Sequence, residues 1–253
     1  MRLQGKSIIV TGAGSGIGAG IAKLFGEQGA KLIVNDINAA GGERVTAEIN
    51  QAGGTAKFVH GDVTKAADWE GVVSAALSAH GRLDSVINNA GWTYSAKSTV
   101  LVTEAEFDKT FAINVKSILL SAQHAIPIYQ KQGGGNFVNI ASTAGVRPRP
   151  NLGVYNASKA AVINLSKSLA VEFGPANIRV NCVNPVFNPD TALSSGFAGG
   201  TVDDAAKARF RATIPMGRFS TALDVAQACL YLASDEASLV SGVCLEVDGA
   251  RCV

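Results

Sequence analysis

Histidine and cysteine are scarce in this chain, and their spacing excludes several chemistries. The three histidines His60, His80 and His124 stand far apart, and none of the four cysteines Cys182, Cys229, Cys244 and Cys252 forms a C-x-x-C pair. A structural zinc site draws on clustered ligands, so no metal is expected. Such dispersed thiols read as free side chains in a reducing compartment, with Cys252 the most accessible. Strong charge is lacking too: 22 Lys+Arg against 20 Asp+Glu leave a net +2. That gives no electrostatic case for nucleic acid or an anionic membrane as partner. No apolar run approaches the length of a bilayer span. The apolar stretch near Met1 is too short for a signal-peptide core and runs straight into glycines. A cytoplasmic enzyme is the expectation. Aromatics are only 6% of residues although hydrophobics reach 47%, so the core is aliphatic, as when helices pack on a sheet.

What is present is an alternation. Ser7–Thr11, Lys31–Asp36, Ala56–His60, Leu83–Asn88, Asn136–Ile140, Ile178–Asn184 and Val243–Val247 read as strands. Gly16–Gln28, Ala40–Ala52, Lys65–His80, Glu104–Gln130, Val154–Phe173 and Ala222–Ser234 read as helices. Near-continuous apolar strands separated by helices predict an α/β fold: one doubly wound, Rossmann-type domain over residues 1–253, its parallel sheet of about seven strands covered on both faces. No repeat or linker interrupts it. One excursion does break the rhythm. Phe187–Thr213 carries Pro189, Gly196, Gly199 and Gly200, with a short helix expected at Asp203–Arg211. It follows the carboxyl end of a strand, where open α/β sheets bind ligands, and is expected to cover substrate.

The first strand runs into Gly12-Ala13-Gly14-Ser15-Gly16-Ile17-Gly18 and then a helix. Glycines allow a sharp turn, and backbone N–H groups at a helix N-terminus attract a pyrophosphate. Asp36 ends the second strand, where an acid accepts hydrogen bonds from the adenosine ribose. It also opposes any 2′-phosphate, and no Lys or Arg at Ser15, Asn35 or Ile37 offsets it, so NAD(H) is expected over NADP(H). The competing reading makes Asp36 an N-cap of the following helix. Asp62-Val63 and Asn89-Ala90-Gly91 follow the third and fourth strands. They are placed to meet the adenine and to pass behind the ribose.

Tyr155 and Lys159 stand four apart in a helical stretch and so share a face. A nearby ammonium lowers a phenol's pKa, and such a pair can move a proton to or from a substrate oxygen. Ser142, just past the fifth strand, is placed to hydrogen-bond that oxygen. The string Thr11-Gly12-x-x-x-Gly16-x-Gly18, then Asp62, Asn88-Asn89-Ala90-Gly91, Asn114, Asn139-x-Ala141-Ser142 and Tyr155-x-x-x-Lys159 resembles the short-chain dehydrogenase/reductase family across essentially the whole chain. The resemblance implies that Tyr155 is the general acid/base and that Lys159 lowers its pKa and grips the nicotinamide ribose. It also implies that Ser142 stabilises the reacting oxygen and that Asn114, within the long helix, anchors a water for proton exchange. Asn88 is expected to brace the sheet. The family usually has Pro-Gly after the sixth strand and then a Thr on the nicotinamide carboxamide. Here Pro185 is followed by Val186, and Thr191 comes about one residue late. The carboxamide contact therefore falls to the Val186 backbone, to Thr191, or to both.

Trp92, Tyr94, Ala144, Val146, Asn151, Phe187 and Phe197 are expected to border the nicotinamide. That wall suits a hydrophobic secondary alcohol or ketone, unless Trp92 and Phe187 only wall the cofactor. Arg147 and Arg149, between Pro148 and Pro150, read as solvated loop charges or subunit contacts, with an anionic substrate or acyl carrier as the alternative. An NAD-dependent secondary-alcohol dehydrogenase, including one for a sugar or polyol, is the leading expectation. A 3-oxoacyl-thioester reductase and a non-catalytic nucleotide-binding protein are the others. The resemblance also implies a homotetramer.

Overall fold

The computed structural model describes residues 1–253. Its elements are β1 (Ser7–Thr11), α1 (Gly16–Glu27), β2 (Lys31–Asp36), α2 (Ala39–Gln51), β3 (Thr55–His60), α3 (Ala66–His80), β4 (Ser85–Asn88), α4 (Glu104–Phe111), α5 (Ser117–Gln132), β5 (Gly135–Ile140), α6 (Gly153–Phe173), β6 (Ile178–Pro185), α7 (Ser194–Ala198), α8 (Asp204–Arg211), α9 (Ala222–Ala233) and β7 (Cys244–Val247). The seven strands form one sheet in the order β3-β2-β1-β4-β5-β6-β7. Every neighbouring pair is parallel, the doubly wound arrangement expected.

The inner strands β1, β2, β4, β5 and β6 are buried on both faces, whereas the edge strands β3 and β7 are partly exposed. In β1, Ile8 and Val10 join a core of 24 buried residues that includes Phe25 of α1, Val45 of α2 and Val225 of α9. Ile9, pointing the other way, joins one of 22 with Trp69 of α3, Ile118 of α5 and Val162 of α6. The alternation is period two, but no position along it meets water. The two cores are nearly equal, so neither face is a free docking surface for a second layer. The strand order reverses between β1 and β4, which opens a crevice at the carboxyl ends of these strands.

Two departures from the expected elements bear on that crevice. The single helix expected over Glu104–Gln130 is divided: α4 stops at Phe111, Ala112–Lys116 form a π turn, and α5 follows. A π turn accommodates one extra residue in the helical ladder, and here Asn114 is inside it. The excursion after β6 carries α8 as expected, N-capped by Asp203, whose carboxylate accepts from the Ala206 N–H at 2.7 Å. It also carries the unanticipated short α7. No helix is long and apolar enough to cross a membrane.

Candidate active site

A cavity of about 490 Å³ lies across the carboxyl ends of the strands. One end is the glycine loop. Gly12 has φ +62° and Gly16 φ +53°, values that favour glycine. A β-carbon on Gly18 would overlap the Gly12 carbonyl, so the loop closes on itself only because that position is bare. Asn89 braces it, its Nδ2 donating to the Thr11 and Gly12 carbonyls at 2.9 and 3.0 Å. The Asp36 carboxylate accepts from the Gly14 N–H and the Asn38 N–H, both at 2.8 Å. The helix-cap reading of Asp36 is displaced: Asn38 caps α2, accepting from the Gly41 N–H at 3.1 Å. Arg44 donates to the Gly14 carbonyl at 3.0 Å and pairs with Glu48 at 2.7 Å. This places a cation behind the loop that the strand-end residues gave no sign of. A tight glycine turn, a helix start and a strand-end carboxylate are the features a dinucleotide's adenosine half requires, and the residues present fit it.

The other end holds the proton-transfer candidates. Tyr155 and Lys159 of α6 are each 4% exposed. Lys159 Nζ donates to the Ile140 carbonyl at 2.8 Å. It lies 3.7 Å from where a β-carbon on Gly91 would stand, which places Gly91 against the lysine. Burial draws its pKa down to about 8. Burial likewise pushes Tyr155 up to about 12, against the pull of the Ser142 hydroxyl and the Arg149 guanidinium. The expected source of that pull was Lys159. Its ammonium, 5.9 Å from the centre of the Tyr155 ring and committed to Ile140, is not among the groups that lower the phenol. Ser142 Oγ accepts from the Ala144 N–H at 3.1 Å, which leaves its own proton free to donate.

Asn114 is buried but does not line the cavity. Its side chain holds the Trp92 backbone at both ends, accepting from its N–H at 2.8 Å and donating to its carbonyl at 3.0 Å, and donates to Ser158 Oγ at 3.0 Å. Asn88 Nδ2 donates to Ser121 Oγ and Asn139 Oδ1, joining β4 to α5 and β5. Val186 has no positive φ, so replacing the family's glycine strains nothing there. Its N–H donates to the Val247 carbonyl at 3.1 Å and its carbonyl accepts from Ser220 at 2.9 Å. The Val186 N–H is therefore taken while its carbonyl keeps a second lone pair, and Thr191 packs on Gly16 with Cγ2 3.6 Å from that glycine's β-position.

Trp92, Ala144, Phe187 and Phe197 line the cavity, whereas Tyr94, Val146 and Asn151 do not. Tyr94 is buried beneath it, its hydroxyl accepting from the Val154 N–H at 3.1 Å. Val146 is exposed. Asn151 is exposed in a turn at φ +65°, a conformation that Asn tolerates and that turns it away from the wall. Sequence reasoning missed Asn188, Leu193 and Lys109 as lining residues and underweighted Arg149. The alternation Pro148-Arg149-Pro150 was the available signal.

A parallel sheet that delivers a glycine loop and a strand-end acid to one crevice defines a Rossmann-type dinucleotide-binding protein. Comparisons narrow the class. A family model described as enoyl-(acyl carrier protein) reductase matches residues 12–250. The chain is 47% identical over 251 residues to 4-formylbenzenesulfonate dehydrogenase of Comamonas testosteroni, covering 99% of each chain. It is 36% identical over 250 residues to cyclopentanol dehydrogenase of the same species, covering 98% of this chain and 97% of that one. The structure of 3-ketoacyl-(acyl-carrier-protein) reductase from Brucella melitensis complexed with NADH superposes with a TM-score of 0.92 at 41% identity, covering 99% of this chain and 100% of that one. The chain belongs to the short-chain dehydrogenase/reductase family, oxidoreductases that use a nicotinamide cofactor.

Proposed function

We propose that the protein is an NAD(H)-dependent dehydrogenase that interconverts an alcohol, secondary in the leading case, and its carbonyl compound. The observation that carries this is the placement of Ser142, Tyr155 and Lys159 at one end of the cavity whose other end holds the glycine loop and Asp36. Gly12, Ser15, Gly16, Ile17 and Gly18 receive the pyrophosphate, Asp36 the adenosine ribose, and Asp62 and Val63 the adenine. Ala90 and Gly91 back the nicotinamide ribose, and Pro185 and Thr191 flank the carboxamide. When bound, the nicotinamide supplies or accepts the hydride.

The chain's own residues handle the proton. With its pKa pushed up to about 12, Tyr155 is protonated across the neutral range, the form that gives a proton to a carbonyl oxygen. Ser142 donates a second hydrogen bond to that oxygen, where negative charge builds. Lys159 spends one N–H on Ile140 and keeps two for the ribose hydroxyls and the relay. Asn114 acts through others: both its N–H donors are taken up by Trp92 and Ser158, so a relay water there must donate to one of its oxygens. Replacing Tyr155 by Phe should abolish turnover, followed at 340 nm on a panel of alcohols and ketones, while NADH fluorescence titration still shows binding. Retained turnover would refute the assignment.

The likeness to the Brucella reductase supports a second reading, reduction of a 3-oxoacyl thioester. The same panel separates the two when it includes an acetoacetyl thioester. On the first reading, simple alcohols are oxidised and the thioester is not reduced.

A further inference from the structure

Beyond Tyr155 the pocket wall carries Phe197, Phe187 and Arg149, with Phe210 packed behind them. The Tyr155 and Phe197 rings meet edge-on at 5.1 Å, and Phe197 meets Phe187 edge-on at 6.3 Å. Phe187 stacks flat on Phe210 of α8 at 4.0 Å, and Arg149 lies over the Phe210 ring at 4.9 Å. The arginine is held in register with the catalytic helix. Pro148 and Pro150 restrict its backbone on both sides. Asn156, the residue after Tyr155, donates to the Arg149 carbonyl at 2.8 Å and accepts from its N–H at 3.4 Å.

The guanidinium has no counter-charge. None of the chain's ion pairs includes it, and its Nη2 is buried with no hydrogen-bond partner. Burial and the neighbouring Arg251 charge draw its pKa down to about 10. The carboxylates that line the cavity, Asp36 and Asp62, belong to the adenosine end. Lys109 is different: it sits over the Trp92 ring at 4.6 Å but is exposed, so water satisfies it. The Arg149 residue is half-buried, but a buried donor atom such as this Nη2 is costly without an acceptor, and an anion that reaches it removes that cost.

We infer that the substrate is a flat, aromatic-type alcohol or carbonyl compound that carries a carboxylate or sulfonate, bound by Arg149 while the reacting C–O group lies at Tyr155. The placement of the reacting end rests on the oxidoreductase reading above, whereas the anion site rests on Arg149 alone. Arg149 offers a planar fork that matches a carboxylate or sulfonate edge. Phe197 and Phe187, which line the cavity with it, offer an apolar surface for the ligand's body.

The test has a binding arm and a turnover arm, both on the NADH- or NAD-loaded protein. Calorimetric titration of benzoate and of benzenesulfonate separates the two anions, with benzyl alcohol as the uncharged control. Wild type should bind at least one anion. Arg149→Gln should weaken it about 100-fold and Arg149→Lys about tenfold, since a lysine keeps the charge and loses the fork. Unchanged NADH affinity and circular dichroism certify each variant's fold. In turnover, 4-(hydroxymethyl)benzoate or its sulfonate should exceed benzyl alcohol in kcat/KM by about 100-fold in wild type. That ratio should collapse in Arg149→Gln, chiefly through KM. Anion binding that Arg149→Gln leaves intact, or no anion binding at all, overturns the inference even where alcohols are oxidised. Anion binding lost in Arg149→Gln with no alcohol turned over supports the anion site at Arg149 and overturns the proposed alcohol chemistry at Tyr155 instead.

Discussion

Asp36 offers the most direct test of cofactor choice. Its two oxygens accept from Gly14 and Asn38, each at 2.8 Å, and each keeps a further lone pair for the ribose hydroxyls. A 2′-phosphate would stand against this carboxylate. Two like charges about 4 Å apart repel by roughly 1 kcal/mol at the dielectric of water and 4 kcal/mol at that of a protein surface, which is about fivefold to a thousandfold in affinity. Asp36→Asn removes the charge and keeps the shape, together with the acceptor for one of the two N–H groups. Arg44, 3.0 Å from the Gly14 carbonyl, then becomes the nearest cation to that position. The expected result is a rise in kcat/KM for NADPH of about five- to a thousandfold. NADH should lose about tenfold or more, the value of a hydrogen bond to a charged group. Adding Arg44→Ala should cancel part of the NADPH gain. Initial rates with both cofactors at several concentrations measure all of this. A wild type that uses NADPH as well as NADH, or an Asp36→Asn ratio equal to wild type, would refute the reasoning.

Lys159 ties the site to stability. Its pKa is about 8 in the fold against an ordinary 10.5, so between these values the unfolded chain holds more protons and stability rises with pH. Below about 8 the full cost of burying the charge is present. Relative to Lys159→Met, wild type without cofactor should gain on the order of 3 kcal/mol between pH 7 and pH 11, read from urea midpoints. A parallel pH dependence in the two proteins would rule this out. Among the thiols, Cys182 and Cys244 face each other across β6 and β7 with sulfurs 2.9 Å apart. The Cys182 S–H stabilises a thiolate on Cys244 and lowers its pKa. Burial and Asp248 push Cys252 up, so Cys244 and not Cys252 should alkylate first with iodoacetamide at pH 7.5, as peptide mapping would show.

The sheet and the adenosine end were legible because their signals are local. A strand, a glycine turn and a helix follow one another from Ser7 to Glu27, and Asp36 ends the next strand. Asn88 was legible for a related reason: a buried amide at a strand end finds its partners on the neighbouring strand and helix. The π turn was not legible, since Glu104–Gln130 keeps an apolar pattern through it and one extra residue in the ladder leaves no compositional mark. Asn151 failed for a different reason. Its place in the chain is beside the site, but a left-handed turn between Pro150 and α6 points the chain outward. Arg149 was misjudged because what buries it comes from far along the sequence. An arginine between prolines reads as a solvated loop until Phe210, in the excursion after β6, lies under it.

One cause accounts for the electrostatics of the catalytic end. Tyr155 is pushed up, and Lys159 and Arg149 are drawn down, each chiefly by burial. Mutual attraction would have moved them otherwise, lowering the phenol and raising the two cations, so desolvation outweighs pairing here. Such groups cost stability while the cavity holds no ligand; on the proposed function a ligand offsets that cost with an oxygen at Tyr155, ribose hydroxyls at Lys159 and an anion at Arg149. The adenosine end works the opposite way, with Asp36 already bonded to two N–H groups. It is therefore preorganised for the dinucleotide on the proposed function. Ligand-linked stabilisation should then be larger for cofactor plus anionic substrate than for cofactor alone, because only the ternary complex relieves the buried guanidinium.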